Sequence, residues 1–374
     1  MDCPQSAVFF FEEDAAVPAH SKPLFLEAVL FCPILQWASK QLMADGVQRF
    51  FVVCSPRFAD EARSCFPDGA DVTVSEQQTD LTAFLNTPDP VLVLPRAALP
   101  VAEAGPGFAY KAAGYELQES WKQKMTNSVS AAELVSGWLP VFGLPTIAEL
   151  ELRLRDRIVK QHILNGVRIL DPNAVYIDPR VEIGEGTVIL PGSILRGRTQ
   201  IGCRCTIGPN AMVRDCTVGD DSEVNASQIN ESSVGCRTHI GPFAYVRPNS
   251  VIGDDIKVGD FVEIKNSTIG DGTKISHLTY VGDSDVGQKV NFGCGTVTTN
   301  YDGFKKHRCT IGDHAFLGCN TNLIAPVTVG DGAYTAAGST ITEDIPTDAL
   351  AVARAKQRNV DGWAARRRKL NGQD

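Results

Sequence analysis

Nothing in this chain of 374 residues approaches an uninterrupted apolar run of membrane-spanning length, which sets aside a helical membrane protein. The acidic N-terminus lacks the charged and apolar regions of a signal peptide, so a soluble, cytoplasmic protein is expected. There is no CxxC pair among the 11 cysteines, which are scattered from Cys3 to Cys319. That scatter argues against a zinc knot or disulfide framework and for small buried or coil-face thiols in a reducing compartment. An excess of positive charge is missing too: 35 Lys and Arg stand against 44 Asp and Glu, a formal net charge of -9, which disfavours nucleic acid as a partner. The basic cluster Arg366-Arg367-Arg368-Lys369 is confined to the tail, where it reads as a solvated terminus or as a ligand-facing patch.

What is present is a clock. From Ile177 to Ile345 an aliphatic residue recurs about every six positions, as at Ile177, Ile183, Ile189, Leu195, Ile201, Ile207 and Val213, and again at Ile240, Val246, Ile252, Val258 and Ile264. Gly often follows it, as in Ile201-Gly202, Val218-Gly219 and Val258-Gly259. Six residues are too few for a helix-pair repeat and do not fit an amphipathic helix, so each unit is one short strand plus a turn. Three units make one triangular coil of a parallel β-helix, with the aliphatic side chain inward and coils stacked about 4.8 Å apart. Residues eighteen apart in the strict runs therefore sit one above the other.

The first part of the chain keeps no such clock. Ala7–Phe11, Phe50–Cys54 and Pro90–Leu94 read as apolar strands and Pro33–Met43 as an amphipathic helix, which predicts an α/β layer with a parallel sheet. Ala148–Leu164 interleaves charged and aliphatic residues at helical spacing and stops at Asn165-Gly166. The expected organisation is thus an α/β domain over 1–147, a connecting arm helix over 148–166, a β-helix over 167–356 and a basic tail over 357–374.

Stacking brings chemistry together. Arg247 follows Val246 and Lys265 follows Ile264, so these cations lie one coil apart and repel unless an anion lies between them; they read as an anion site or as two solvated side chains. Glu263 and Tyr280 stack one column over. His277, two residues past Ile275, is off the inward position. An imidazole there reads as structural or as the proton acceptor an amine nucleophile needs.

Six strings carry a resemblance: Gly-Pro-Phe-Ala-Tyr-Val-Arg-Pro (241–248), Val-Gly-Asp-Phe-Val-Glu-Ile-Lys (258–265), His-Leu-Thr-Tyr-Val-Gly-Asp (277–283), Val-Asn-Phe-Gly-Cys-Gly-Thr (290–296), Asn-Tyr-Asp-Gly (300–303) and Ala-Pro-Val-Thr-Val-Gly (325–330). Over about Gly241 to Trp363 the chain resembles the acetyltransferase half of the bifunctional N-acetylglucosamine-1-phosphate uridyltransferase and glucosamine-1-phosphate acetyltransferase family. The resemblance implies a left-handed coil, a homotrimer with active sites between neighbours, and acetyl transfer from acetyl-CoA to glucosamine-1-phosphate for UDP-N-acetylglucosamine synthesis, with no metal. It makes His277 the general base and Glu263 the residue that orients it. Arg247, Lys265, Tyr280, Asn291 and Lys306 match sugar-phosphate contacts, and Asn300 and Tyr301 line the acetyl group. Cys294, Cys319, Ala337 and Arg354 match the coenzyme side, the two cysteines standing where Ala and Ser are expected. The segment Thr298 to Arg308 breaks the repeat, as a binding loop does.

The N-terminal part departs from that family. A uridyltransferase needs a Gly-rich basic loop after its first strand, whereas this strand runs into Phe10-Phe11-Glu12-Glu13-Asp14. No acid stands between Val91 and Val101, and the position of the second metal ligand falls near Phe142. A shortened, degenerate nucleotidyltransferase-like domain without uridyl transfer is expected, with a structural or regulatory role. Two other readings remain: an acyltransferase for another amino sugar or an amino acid, and a non-catalytic trimeric scaffold that binds a sugar nucleotide.

Overall fold

The computed structural model describes residues 4–11, 22–100, 109–122, 133–135 and 137–373, which form two units: residues 1–161 with 176–179, and residues 162–175 with 180–374. In the first, a six-stranded sheet runs in the order Asp71–Val74, Arg49–Val53, Ser6–Phe10, Pro90–Leu94, Ala109–Ala113, Glu133–Val135. The first four strands are parallel, as expected, and the last two add an antiparallel edge.

Successive strand side chains point to opposite faces, so the central strands, apolar at nearly every position, feed two cores. Ala7, Phe9, Phe50, Val52, Leu92 and Leu94 meet Ile34, Leu35, Ala38 and Leu42 of the helix Ile34–Ala44 on one side. Val8, Phe10, Phe51, Val91 and Val93 meet Leu81, Leu85 and Leu117 on the other. The helix expected from Ala148 begins earlier, spanning Leu144–Leu164. Pro145 sits in its first turn, where no backbone donor is required and the fixed φ suits the helix. Ile147, Leu150 and Leu154 join the first core.

The second unit is the left-handed β-helix. Its short strands stack into three parallel sheets, and the register obeys the sequence clock: Val246 opposes Ile264, eighteen residues on. Five-residue steps shorten the offset, so that Ile201 opposes Val218 and Ile264 opposes Val281. The inward aliphatics Ile189, Leu195, Ile207, Val224, Val246, Ile264, Ile275 and Val281 are fully buried.

Corners are turned by left-handed residues, several of them Asp or Asn, such as Asn249, Asp255 and Asn266. The glycine after the inward residue has a different duty. Gly219 is not left-handed, but a Cβ there would lie 2.7 Å from the Cys236 backbone nitrogen of the next coil. It is small because coils approach closely there.

The excursion over 298–308 does not interrupt the stack. Beneath it Ser284 opposes Cys309, Val286 opposes Ile311, and Phe292 opposes Leu317.

Candidate functional site

Two columns of side chains on the β-helix collect the residues singled out by sequence. The first runs up one corner. Strands Lys257–Asp260 and Lys274–His277 pair in parallel with Asp260 opposite His277. Above them in the same sheet come Asn291–Phe292, Phe316–Leu317 and Tyr334–Thr335. Cys294, Cys319 and Ala337 occupy on these rungs the position that His277 occupies on its own. The turns are tied by Gly295 N donating to Leu278 O at 3.1 Å, Asn320 N to Cys294 O at 2.8 Å and Gly338 N to Cys319 O at 2.8 Å. Arg354 Nη1 completes the column by donating to Ala337 O at 2.9 Å. Base and coenzyme residues predicted separately thus form one line.

The His277 side chain is 60% exposed, and its Nδ1 lies 2.9 Å from Asp260 Oδ1. That bond, followed by one from the backbone, holds the Asp260 carboxyl below the usual range. Glu263, expected to orient His277, does not face it. Its Oε1 accepts from Arg247 Nη1 at 2.8 Å, and its register neighbour is Tyr280. The corner explains the difference: Phe261, at φ +57°, turns the chain between Asp260 and Glu263, so residues three apart serve different sheets.

The second column begins just past that corner. Arg247, Lys265 and Gly282 occupy one register position on strands Tyr245–Val246, Glu263–Lys265 and Tyr280–Gly282 and their ends, as the sequence clock predicts. The protein itself supplies some of the negative charge beside Lys265. Asp283, almost fully buried, lies 3.8 Å from Lys265 Nζ and accepts from Asn266 Nδ2 and from Asn300 Nδ2. Burial pushes its carboxyl up, but the two amides and the nearby Lys265 and Lys306 outweigh burial and hold it low. Lys265 is held below the usual lysine range, first because Lys306 sits within hydrogen-bonding reach, then by desolvation, with Asp283 opposing. Arg247 adds a further repulsive charge. Lys265 and Lys306 share the buried Asp283 carboxylate while Arg247 pairs with the half-exposed Glu263, so three cations face two carboxylates and the cluster retains capacity for an anion.

Tyr280 borders this cluster, its hydroxyl 3.5 Å from Asn300 Nδ2. A Cβ on Gly282 would lie 2.3 Å from that hydroxyl, so Gly282 is what lets the ring lie along the face. Lys306 arrives through the excursion, bridged in antiparallel fashion to Tyr301. The loop is built on Asp302, which accepts from Phe304 N at 2.8 Å, Lys305 N at 2.7 Å and His307 Nε2 at 2.7 Å, and these hold its carboxyl down at about 2.

Two expected residues stand apart from the cation cluster within this chain. Asn291 lies in the His277 sheet between Lys274 and Phe316. Tyr301 is exposed, its hydroxyl donating to Gly303 O at 2.7 Å. Sequence reading missed Asp260, Asp283 and Asn266. Asp260 and Asp283 lie inside the matching strings, and the seventeen-residue offset that pairs Asp260 with His277 could have found the first.

Of the cysteines, Cys319 is exposed, Cys294 partly so, and all described ones are free. Burial pushes the thiols of Cys54, Cys65, Cys216 and Cys309 up to about 11. Among the described residues no three His, Cys, Asp or Glu side chains converge as a metal set, and no helix is long and apolar enough to cross a membrane. In the first unit, Phe142 is exposed beneath the Arg96 guanidinium, 5.3 Å from its ring, and Glu12-Glu13-Asp14 lie outside the described residues.

The chain is similar to a bifunctional GlmU protein of Alkaliphilus oremlandii, 56% identical over 221 residues, 59% of this chain and 49% of that protein. A bifunctional GlmU protein of Clostridium beijerinckii is 54% identical over 217 residues, 58% of this chain and 48% of that one. The similarity lies in the C-terminal half, and the chain spans about half the length of the curated relatives it matches. The GMPPB C-terminal domain model matches residues 172–260, and the bacterial transferase hexapeptide model residues 308–343. A solved UDP-N-acetylglucosamine acyltransferase of Arabidopsis is 15% identical, with a TM-score of 0.31, over 56% of this chain and 76% of that one.

Proposed function

We propose that the β-helix transfers an acetyl group from acetyl-CoA to the amine of glucosamine-1-phosphate, supplying N-acetylglucosamine-1-phosphate for UDP-N-acetylglucosamine synthesis. The carrying observation is that three successive coils hold an exposed imidazole at a corner and, just past that corner, the Arg247–Lys265 stack with Lys306. Identity of 56% to a GlmU protein over 59% of the chain supports the same reading.

In this mechanism Arg247, Lys265 and Lys306 bind the phosphate, and Tyr280 borders the sugar. His277 accepts the amine proton as nitrogen bonds to the acyl carbon. The carbon–sulfur bond then breaks, and the departing thiolate recovers the proton. Asn300 and Tyr301 line the acetyl group, where an amide donor stabilises the developing oxyanion. The thioester arm lies along Cys294, Cys319, Ala337 and Arg354, three rungs from His277 to Ala337 or roughly 14 Å at strand spacing. We assign the assembly as a homotrimer in which Asn291, set apart from the cation cluster in its own chain, serves a neighbour's site. No metal takes part in acetyl transfer.

The first unit is assigned a structural or regulatory role with uridyl transfer lost. Incubation with UTP, N-acetylglucosamine-1-phosphate and magnesium should yield no UDP-N-acetylglucosamine; clear product there would refute this assignment.

The deciding assay compares acetyl-CoA turnover on glucosamine-1-phosphate with that on glucosamine, galactosamine-1-phosphate and serine. Preference for the non-phosphorylated amines would reject the substrate assignment. Replacing His277 with Ala should lower the rate by about two to four orders of magnitude, since general base catalysis is worth that much. Biological activity that survives His277→Ala unchanged would favour a non-catalytic scaffold instead.

A further inference from the structure

We infer that Asp260, rather than Glu263, is the positioning residue for His277, fixing the imidazole as the tautomer whose Nε2 is free to accept a proton. The inference rests on the acetyl-transfer reading only for which proton that is.

The backbone sets the pair before the side chains do. Asp260 and His277 are opposite residues of adjacent parallel strands, and Leu278 N donates to Asp260 O at 3.0 Å, so the rung spacing is fixed. Within it, Asp260 Oδ1 and His277 Nδ1 stand 2.9 Å apart. An ionised carboxylate only accepts, so the hydrogen of this bond belongs to Nδ1. A neutral ring protonated at Nδ1 carries its lone pair on Nε2, on the far side from Asp260.

Glu263 is committed elsewhere. It accepts from Arg247 at 2.8 Å, stacks on Tyr280, and lies beyond the corner turned at Phe261. The two acids therefore divide the work: Asp260 serves the base and Glu263 the phosphate-binding arginine.

The size of the effect follows from exposure. With His277 60% and Asp260 42% exposed, solvent screens the charge that Asp260 offers to the imidazolium. Its contribution is then orientation with modest charge stabilisation, about tenfold in rate, well below the loss expected on removing the base itself.

The test uses the full-length protein, with the ring-nitrogen shifts of His277 followed by 15N NMR beside kcat and KM for acetyl-CoA and glucosamine-1-phosphate. Wild type and Asp260→Asn should both show Nδ1 protonated, because the Asn amide oxygen also accepts. In Asp260→Ala the ring should move toward the Nε2-protonated form usual for a free imidazole. The turnover number should fall about tenfold in Asp260→Ala and about threefold in Asp260→Asn, with both KM values unchanged within about twofold. Glu263→Gln should leave the nitrogen shifts alone and raise KM for the sugar phosphate.

An unaltered tautomer and kcat in Asp260→Ala would overturn the inference, as would a tautomer change in Glu263→Gln. A lowered Tm and raised KM with unchanged nitrogen shifts would make Asp260 merely structural and overturn it equally. Should the wild-type protein transfer no acetyl group, the acetyl-transfer reading falls, while the nitrogen shifts still decide the role of Asp260.

Discussion

The two units bury apolar residues by different rules. In the first unit, Phe9 packs edge-on against Phe25, and Phe50 meets Phe66 at a tilt, in a core whose members come from strands and helices of unrelated spacing. In the β-helix each coil contributes its inward aliphatics, as Val246, Ile264 and Val281 do on successive rungs. A jigsaw core distributes side chains irregularly. A ladder puts every outward residue into a column as well, so His277 and Ala337, sixty residues apart, are aligned by the same register that buries Ile275. The teaching is that in a repeat, the core pattern and the site pattern are one pattern.

The strongest challenge to this contrast is a matched pair of core truncations. Phe50→Ala should remove about 3–5 kcal/mol from the first unit in urea unfolding, and Ile264→Ala about 2–5 kcal/mol from the second. Only Ile264→Ala should depress acetyl transfer more than about threefold, because it alone lies beneath Glu263 and Lys265. Equal losses of activity in both variants would show that the ladder has no special hold on the site.

A smaller effect distinguishes two glycines. At Gly293 an added Cβ would meet the Cys319 backbone nitrogen at 2.5 Å, whereas at Gly46, with φ +98°, nothing lies within 4 Å. Gly293→Ala should cost about 1–3 kcal/mol through forced backbone movement and raise KM for acetyl-CoA. Gly46→Ala should cost about 1–2 kcal/mol through conformation alone and leave KM unchanged.

A pH titration sharpens the comparison further. The folded protein holds Lys265 below its unfolded value of 10.5, so it binds fewer protons there than the unfolded chain, and this group adds stability as pH rises through the lowered value. A phosphate needs the charged form, so glucosamine-1-phosphate affinity should fall over the same rise. The buried thiols act oppositely: Cys54 and Cys65 in the first unit, Cys216 and Cys309 in the second, contribute stability below pH 9 that is lost between about 9 and about 11. Calorimetry across pH 8–11 with and without the sugar phosphate separates the two trends. Affinity that holds flat to pH 10.5 would remove Lys265 from the phosphate site.

Smallest of all should be the thiol substitutions. Cys294→Ala and Cys319→Ser should change KM for acetyl-CoA by less than about threefold, under 1 kcal/mol, if the arm is held by the backbone of the corner column. A tenfold change would mean that side-chain volume at these rungs matters.

How much was legible follows the same divide. The six-residue clock gave coil, register and the Arg247–Lys265 stack, since each step is local and repeated. It did not give the His277 partner, because a corner at Phe261 separates Asp260 from Glu263 and no side-chain pattern marks which acid precedes the turn. Asp283 escaped for another reason: a buried acid is credible only when its amide and ammonium partners are known, and Asn300 comes from a loop outside the clock. In the first unit the strands were readable from their apolar runs. The antiparallel edge, Ala109–Ala113 with Glu133–Val135, was not, since such short segments declare no direction.

The excursion between Thr298 and Arg308 leaves one strand and returns at the next strand of the same coil, with the ladder below it unbroken. Its length is therefore decoupled from the coil's arithmetic. Residues can be added or removed between Asp302 and Lys305 without slipping a single strand pair, so this part of the wall is free to vary in length while the coil beneath it stays in alignment.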